Sequence, residues 1–194
     1  VGNGSFVSEF GMERSEDYCK AGGGYKNTKE AEAELYDPAL LLKSDDPLHI
    51  GIALRMLGGE YGATTKRPRR IGMLDLVMLR QNCRLNAVDE LYLNKVDCLR
   101  QFADSSLPGI PLVIGYELDG QRIEYMPSTE GKLRRVKPVV EYLLHFTKDV
   151  SAVRCKEDLP GEVREFLHTV ETYVGTPIHG IGVGPEMEEY VQLK

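Results

Sequence analysis

The sequence lacks several patterns by which enzymes and membrane proteins are commonly identified. No apolar run reaches the length of a bilayer-spanning helix, so we expect no membrane partner. There is no Gly-x-Ser-x-Gly elbow and no Gly-x4-Gly-Lys-Ser/Thr phosphate loop. The cysteines are scattered without a Cys-x-x-Cys pair, which favours reduced thiols in a cytoplasmic protein over a disulfide frame or a zinc site. They are Cys19, Cys83, Cys98 and Cys155.

Two further absences concern metal ligands and the start of the chain. The histidines show no metal-ligand spacing, so each is predicted to be structural or exposed, and no metal site is predicted in this chain. They are His49, His145, His168 and His179. The chain has no initiator methionine, and its opening "VGNGSFVSEF" is neither a signal nor a transit peptide. We therefore expect it to begin inside a larger protein.

One short segment concentrates positive charge in an acidic chain whose formal net charge is −6. Residues 63–70, "ATTKRPRR", here called the basic loop, place four cations in five positions. Arginines and adjacent hydroxyls suit carboxylates and phosphates, and Pro68 lowers the cost of ordering the segment. A solvated charge run or a nuclear-localisation-like patch is the alternative interpretation. The acidic total argues against nucleic acid as a partner.

The sequence "NKVD", residues 94–97, here called the guanine motif, follows a predicted strand. Guanine presents two adjacent donors, N1–H and the exocyclic amine, and the Asp97 carboxylate offers two acceptors at matching spacing. The Lys95 stem is suited to lie over the base plane. An exposed Lys-x-Asp pair without a ligand is the alternative.

A third candidate is "GVGPE", residues 182–186, here called the glycine turn, at the end of another predicted strand. Glycines at such a position let backbone N–H groups approach a ligand closely. An ordinary strand-to-loop turn explains the same pattern.

Local patterns predict an α/β architecture, because strands alternate with helices along the chain. Helices are predicted after Asn27 or Thr28, between the Ser44–Pro47 segment and Gly58-Gly59, over residues 73–86, and from Pro160 to Gly175. Strands are predicted at 90–94, on both sides of Asp119-Gly120 and near 178–182. The rest of residues 11–60, with the glycine cluster at 22–24, is predicted to be polar and irregular.

Taken in order, these motifs resemble the C-terminal part of the adenylosuccinate synthetase family. The resemblance runs from "VGNGSFVSEF" through "GGEYGATTKRPRRIGMLDL" and "LYLNKVD" to "VGTPIHGIGVGPE", and leaves residues 11–50 as an insertion-like region. It implies that residues 1–194 are part of a P-loop-NTPase-like mixed sheet with flanking helices and a β-hairpin. The family forms adenylosuccinate from IMP and L-aspartate, hydrolyses GTP, uses Mg²⁺, and is expected to be a cytoplasmic homodimer.

The resemblance also implies roles for individual residues. The hydroxyls of Thr64 and Thr65 would bind aspartate, Arg67 would reach aspartate and IMP, and Arg69 would contact aspartate and the GTP side. The aspartate and IMP site would comprise Ala63, Thr64, Thr65, Lys66, Arg67, Pro68 and Arg69. The GTP site would comprise Arg69, Lys95, Val96, Asp97, Gly182, Val183 and Gly184. The catalytic residues and the Mg²⁺ site belong to the family's N-terminal half, so none is assigned here and the isolated chain is expected to be inactive.

Three positions depart from the family pattern. Lys66 replaces a glycine of the loop, Gly182 replaces a serine or threonine, and Met73 stands where tryptophan is common. Because lysine does not adopt positive φ cheaply, we expect a shifted loop or altered substrate contacts. A non-catalytic guanine-nucleotide-binding paralogue or module is therefore the alternative function, and a nucleic-acid binder is a third.

Overall fold

The computed structural model describes residues 4–20 and 27–194, so the glycine cluster at 22–24 lies outside the described residues. Its helices are α1 (Met12–Lys20), α2 (Lys29–Leu35), α3 (Pro38–Leu42), α4 (Pro47–Gly58), α5 (Leu76–Leu85), α6 (Glu130–Leu133) and α7 (Gly161–Val174). Its strands are β1 (Leu74–Asp75), β2 (Leu91–Leu93), β3 (Ile110–Leu118), β4 (Gln121–Ile123), β5 (Lys137–Leu143), β6 (Ile178–Gly182) and β7 (Tyr190–Gln192). Two 3₁₀ helices cover Val96–Asp104 and Lys156–Asp158.

The strands form two mixed sheets. In the first, β3 pairs in parallel with β1 and antiparallel with β4 and β5. In the second, β6 lies between β2, which is parallel to it, and β7, which is antiparallel. With helices packed around the sheets, the fold is mixed α/β, and the predicted fold class is confirmed at that level.

Helix α7 shows how the sequence builds the main core. Five apolar side chains at helical spacing line its buried face: Val163, Phe166, Leu167, Val170 and Val174. They join one hydrophobic cluster with residues of α5, β3 and β6. The helix ends at Gly175, whose φ of 75° is the left-handed conformation that glycine adopts without penalty. The predicted extent of this helix is confirmed.

Other local predictions are also confirmed. Helix α4 begins after Asp46, whose carboxylate accepts a hydrogen bond from the Leu48 N–H, and it ends before Gly59. Thr28, rather than Asn27, caps α2. The β3–β4 hairpin turns through Asp119 and Gly120, both at positive φ, as a tight two-residue turn requires.

Residues 11–60 are more regular than the sequence indicated. Helices α1 and α3 were not predicted. The buried residues of α1 are Ser15 and Glu16, so the helix carries no apolar stripe that periodicity could detect. Helix α3 starts with Asp37 and Pro38, the same capping pattern that correctly marked α4.

The prediction also failed at three places further along the chain. Leu74 belongs to β1 and not to the following helix, because Asp75 caps α5 through a 2.9 Å hydrogen bond to the Met78 N–H. The predicted loop after β2 is a 3₁₀ helix from Val96 to Asp104. Strands β5 and β7 were missed, since each is defined by pairing with a distant strand. Among the described helices, none is long and apolar enough to cross a membrane.

Candidate nucleotide and anion site

The guanine motif and the glycine turn lie side by side. They follow β2 and β6, which are parallel neighbours, so their carboxyl ends meet at one edge of the sheet. Asn94 and Gly182 are in contact: a Cβ added to Gly182 would lie 2.9 Å from Asn94 Oδ1. The serine or threonine that the family has at this position would therefore require Asn94 to move.

Asp97 presents an unpaired carboxylate oxygen. Its Oδ1 is buried and accepts no hydrogen bond, while its Oδ2 accepts only from the Cys98 thiol at 3.6 Å. Burial, with a contribution from the Asp97 charge, raises the pKa of Cys98 to about 11, so the thiol remains protonated and can donate. An unpaired buried oxygen costs about 1–3 kcal/mol, which a ligand with a suitably placed donor would recover.

The basic loop projects from a narrow neck. Tyr61 and Pro68 form an isolated antiparallel bridge, and the Gly62 N–H donates to the Arg67 carbonyl at 2.8 Å. The Arg69 N–H donates to the Glu60 carbonyl at 3.0 Å. Beyond this neck the five residues 63–67 are all exposed, so their side chains are accessible to a ligand.

Lys66 lies in the left-handed region, with φ of 54°. The sequence led us to expect a shifted loop or altered contacts because lysine replaces glycine here. In the structure Lys66 adopts the positive φ, and its N–H donates to the Gly62 carbonyl at 2.9 Å, which closes the turn. Lysine at this position therefore carries local backbone strain.

Glycine at position 66 is expected to relieve that strain. The left-handed conformation costs a non-glycine residue about 1–2 kcal/mol, and the greater unfolded-state freedom of glycine offsets about 0.5–1 kcal/mol of the gain. Lys66→Gly should thus be more stable than Lys66→Ala by about 1 kcal/mol in urea unfolding. The alanine variant is the matched control because it removes the same side chain but retains Cβ. Equal stability of the two variants would contradict the strained conformation.

Glu60 connects the basic loop to the guanine motif. Its carboxylate lies 2.8 Å from Arg69 Nη1 and 2.6 Å from Lys95 Nζ. The Lys95 ammonium also donates to the Gly58 carbonyl at 2.6 Å. Burial alone would raise the pKa of Glu60, but hydrogen bonds and charge from Lys95 and Arg69 outweigh it, and the pKa is lowered. Arg69 and Lys95, which are 26 residues apart in sequence, thus share one counter-ion.

Arg70, the last cation of the basic run, has a structural position. Its guanidinium contacts both Glu9 carboxylate oxygens and donates to the Gly4 carbonyl at 2.7 Å. Its side chain is largely buried, and it stacks over the Phe6 ring at 5.5 Å. Arg70 therefore joins the N-terminal segment to the base of the loop, and the exposed part of the basic run ends at Arg69.

The glycine turn is closed by its own residues. The Val183 N–H donates to the Glu189 carbonyl at 2.8 Å, and the Glu186 N–H donates to the Glu189 carboxylate at 2.9 Å. That carboxylate occupies the space in which a side chain at position 184 would stand. The backbone N–H of Val183 is therefore engaged within the turn, and the absence of Cβ at Gly184 accommodates Glu189.

Sequence reasoning missed a buried ion pair behind the loop. Arg55 of α4 donates to both oxygens of Glu32 of α2, at 3.1 and 2.5 Å. The same carboxylate accepts from the Tyr61 hydroxyl at 2.6 Å, and the guanidinium donates to the Arg69 carbonyl at 3.1 Å. Nothing in the local sequence indicated this pair, because Glu32 is a polar side chain on a short helix and its partner Arg55 lies 23 residues away.

Metal ligands are not grouped in the part of the chain that the structure describes: no three His, Cys, Asp or Glu side chains lie close enough to hold an ion. Two histidines contact polar side chains. His49 contacts the Ser44 hydroxyl at 3.0 Å and His179 lies 3.2 Å from Glu90.

Known proteins have sequences similar to this chain. Residues 1–191 match the family model described as adenylosuccinate synthetase. Adenylosuccinate synthetase 2 of Cupriavidus pinatubonensis is 36% identical over 96% of this chain and 38% of its own length. The adenylosuccinate synthetase of Cutibacterium acnes is 41% identical over 74% of this chain and 32% of its own. This chain thus spans well under half the length of these relatives.

A solved structure extends the similarity to three dimensions. Fully ligated adenylosuccinate synthetase from Plasmodium falciparum superposes with a TM-score of 0.68 and 34% identity. The match covers 75% of this chain and 34% of that one. Because the family model covers nearly the whole sequence, the chain belongs to the adenylosuccinate synthetase family.

Proposed function

We propose that this chain is the C-terminal part of an adenylosuccinate synthetase and binds guanine, aspartate and IMP. The parent enzyme is a GTP-dependent ligase of purine and AMP biosynthesis that joins IMP and L-aspartate into adenylosuccinate. The phosphoryl group of GTP passes to the 6-oxygen of IMP, and the aspartate amine then displaces it as phosphate. We propose a cytoplasmic homodimer for the parent.

The observation that carries this proposal is the unpaired buried oxygen of Asp97. A guanine base placed against the carboxylate would donate N1–H to one oxygen and its exocyclic N–H to the other. Adenine offers no such pair of donors, so the same carboxylate discriminates against it. Val96 and Lys95 precede the aspartate, and Gly182 contacts the same strand end.

The basic loop supplies the chemistry for the other substrates. Aspartate carries two carboxylates and IMP a phosphate, and the exposed cations Lys66, Arg67 and Arg69 can neutralise them. Thr64 and Thr65 add hydroxyl donors at the same tip. Cations beside a phosphoryl group in transfer also stabilise the charge that develops in its transition state. Glu60 places Arg69 and Lys95 on one carboxylate, which supports adjacent aspartate and guanine sites.

The remaining machinery is assigned to the N-terminal part of the parent. We propose that this part carries the phosphate-binding loop, the catalytic residues and the ligands for Mg²⁺, which would neutralise the phosphates. The sheet of β2, β6 and β7 would then continue as a P-loop-NTPase-like sheet, with residues 11–50 as an insertion. Adenylosuccinate formed by this chain alone in a coupled assay would contradict the division.

One observation favours a second candidate, a non-catalytic guanine-nucleotide-binding paralogue. Lys66 occupies a left-handed position where the family has glycine, at the tip of the loop assigned to aspartate and IMP. The parent gene distinguishes the two: an upstream glycine-rich phosphate loop and adenylosuccinate synthesis by the full-length protein support the ligase. Guanine binding without synthesis supports the paralogue.

A titration with GDP and ADP tests guanine recognition in this chain. Because the sequence contains no phosphate loop of its own, binding rests on the base, and backbone amide shifts in NMR suit such weak affinities. We expect GDP to be preferred by at least about tenfold, the effect of one well-paired carboxylate. Asp97→Ala should abolish the preference.

Asp104→Ala is the matched control, since Asp104 is an exposed aspartate on the same 3₁₀ helix. It should retain the preference for GDP. Equal affinities for GDP and ADP in the unmodified chain would refute the guanine assignment, and a loss of preference in the control would show that the effect is not specific to Asp97.

A further inference from the structure

The ion pair between Glu32 and Arg55 has no place in the proposed substrate contacts, yet it is the most completely buried one described. The Glu32 side chain is 0% exposed and the Arg55 side chain 1%. The Tyr61 hydroxyl and the Arg69 carbonyl also bond to the pair. No side chain of the basic loop takes part, so ligand contact does not explain it.

Stability does not explain the pair either. Removing two charges from water costs several kcal/mol each, and their attraction only partly recovers it. An apolar pair of similar volume is often as stable or more stable at such a site. An ion pair with directed hydrogen bonds fixes the geometry of the groups bonded to it, whereas an apolar pair does not.

Those groups stand at both ends of the basic loop. Tyr61 precedes the loop and forms the bridge with Pro68. Arg69 lies near the other end of the loop, and its carbonyl accepts a hydrogen bond from the Arg55 guanidinium. One carboxylate–guanidinium unit therefore holds the entry and the exit of the loop against α4. It acts beside the hydrogen bonds of the neck itself and the ion pairs of Arg69 with Glu60 and of Arg70 with Glu9.

We propose that Glu32 and Arg55 are positioning residues for the basic loop, and that holding this loop is what the region 11–50 contributes through α2. The ligand-binding consequence rests on the proposed function, because aspartate and IMP are assigned to the loop there. The structural consequence does not rest on the proposed function, since it concerns only the hydrogen exchange of the loop's own amides.

The double variant Glu32→Leu/Arg55→Met separates positioning from stability. It fills the buried volume without charge but leaves the buried Tyr61 hydroxyl unpaired, so we expect a folded chain whose melting temperature falls by about 2–12 °C. Hydrogen exchange of the Gly62, Lys66 and Arg69 amides should accelerate at least about tenfold, while exchange in β3 stays unchanged. Affinity for IMP and L-aspartate should fall at least about tenfold, and that for GDP should change less than about twofold.

Two controls accompany it. Glu34→Leu alters an exposed glutamate of the same helix and should leave all readouts unchanged. Arg55→Lys tests the idea if the double variant does not fold. The lysine ammonium can pair with Glu32, but lysine lacks the additional N–H groups with which arginine also donates to the Arg69 carbonyl. In that variant the Arg69 amide should exchange faster while the chain remains folded.

Unchanged loop protection in a folded double variant, or in Arg55→Lys, overturns the positioning role. Accelerated loop exchange supports it. If the unmodified chain binds neither IMP nor aspartate while its loop responds as expected, the positioning role stands and the ligand assignment in the proposed function fails.

Discussion

Asp97→Asn is expected to convert a guanine site into a xanthine site. Asparagine replaces one carboxylate oxygen with an amide donor, which would then face a guanine donor. Xanthine carries a carbonyl in place of the exocyclic amine, so its carbonyl can accept from the new amide while its N1–H still donates to the remaining oxygen. The substitution thus changes which hydrogen-bonding groups the side chain offers to the base, but not the shape of the side chain.

The expected magnitude is large. Losing a hydrogen bond to a charged acceptor costs about 1.5–3 kcal/mol, and opposing donors add to it. We therefore expect GDP affinity to fall by about 100-fold and xanthosine diphosphate to become the preferred ligand, measured by competitive NMR titration. Cys98→Ser is a control, since it keeps a donor to Asp97 Oδ2 and should retain guanine preference. Unchanged discrimination in Asp97→Asn would place the base elsewhere.

Asp75→Ala is expected to destabilise the fold by about 3 kcal/mol. One carboxylate oxygen caps α5 through the Met78 N–H, which is worth about 1 kcal/mol. The other accepts from the Tyr116 hydroxyl at 2.6 Å, in a core where Tyr116 is 0% exposed. Removing the carboxylate leaves that hydroxyl largely unpaired, which costs about 1–3 kcal/mol more.

Urea and thermal unfolding of three variants check this result. Asp75→Ala should lower the melting temperature by about 6–12 °C for a chain of this size. Tyr116→Phe should also destabilise the fold, because it leaves Asp75 Oδ2 without its donor in the core. The double variant should cost less than the sum of the single ones. Additive losses would show that the two side chains do not interact.

The parts of the fold that could be predicted from the sequence are those determined by neighbouring residues. Asp46-Pro47 and Gly59 fixed the ends of α4, and Asp119-Gly120 defined the hairpin. In each case a few neighbouring residues favour one backbone geometry, whatever the rest of the chain does.

The remaining features depend on contacts between distant residues. The ion pair of Glu32 with Arg55 spans two helices, and neither residue differs in local pattern from an exposed charge. Strand β5 becomes a strand because β3 offers its hydrogen-bonding edge. Lys66 was identified as the unusual residue of the basic loop, but only the backbone shows that it keeps the left-handed turn.

The Glu60 carboxylate, which pairs with both Arg69 and Lys95, competes with anionic ligands for these two cations. Arg69 and Lys95 are each bonded to it in this structure, so an incoming anion must displace a negative charge already in place. A ligand with a single weak anionic group gains little from that exchange, whereas one with two anionic groups can replace Glu60 and also reach Arg67. The built-in counter-ion thus sets a threshold that favours dianionic ligands over the monocarboxylates and chloride of the surrounding solution.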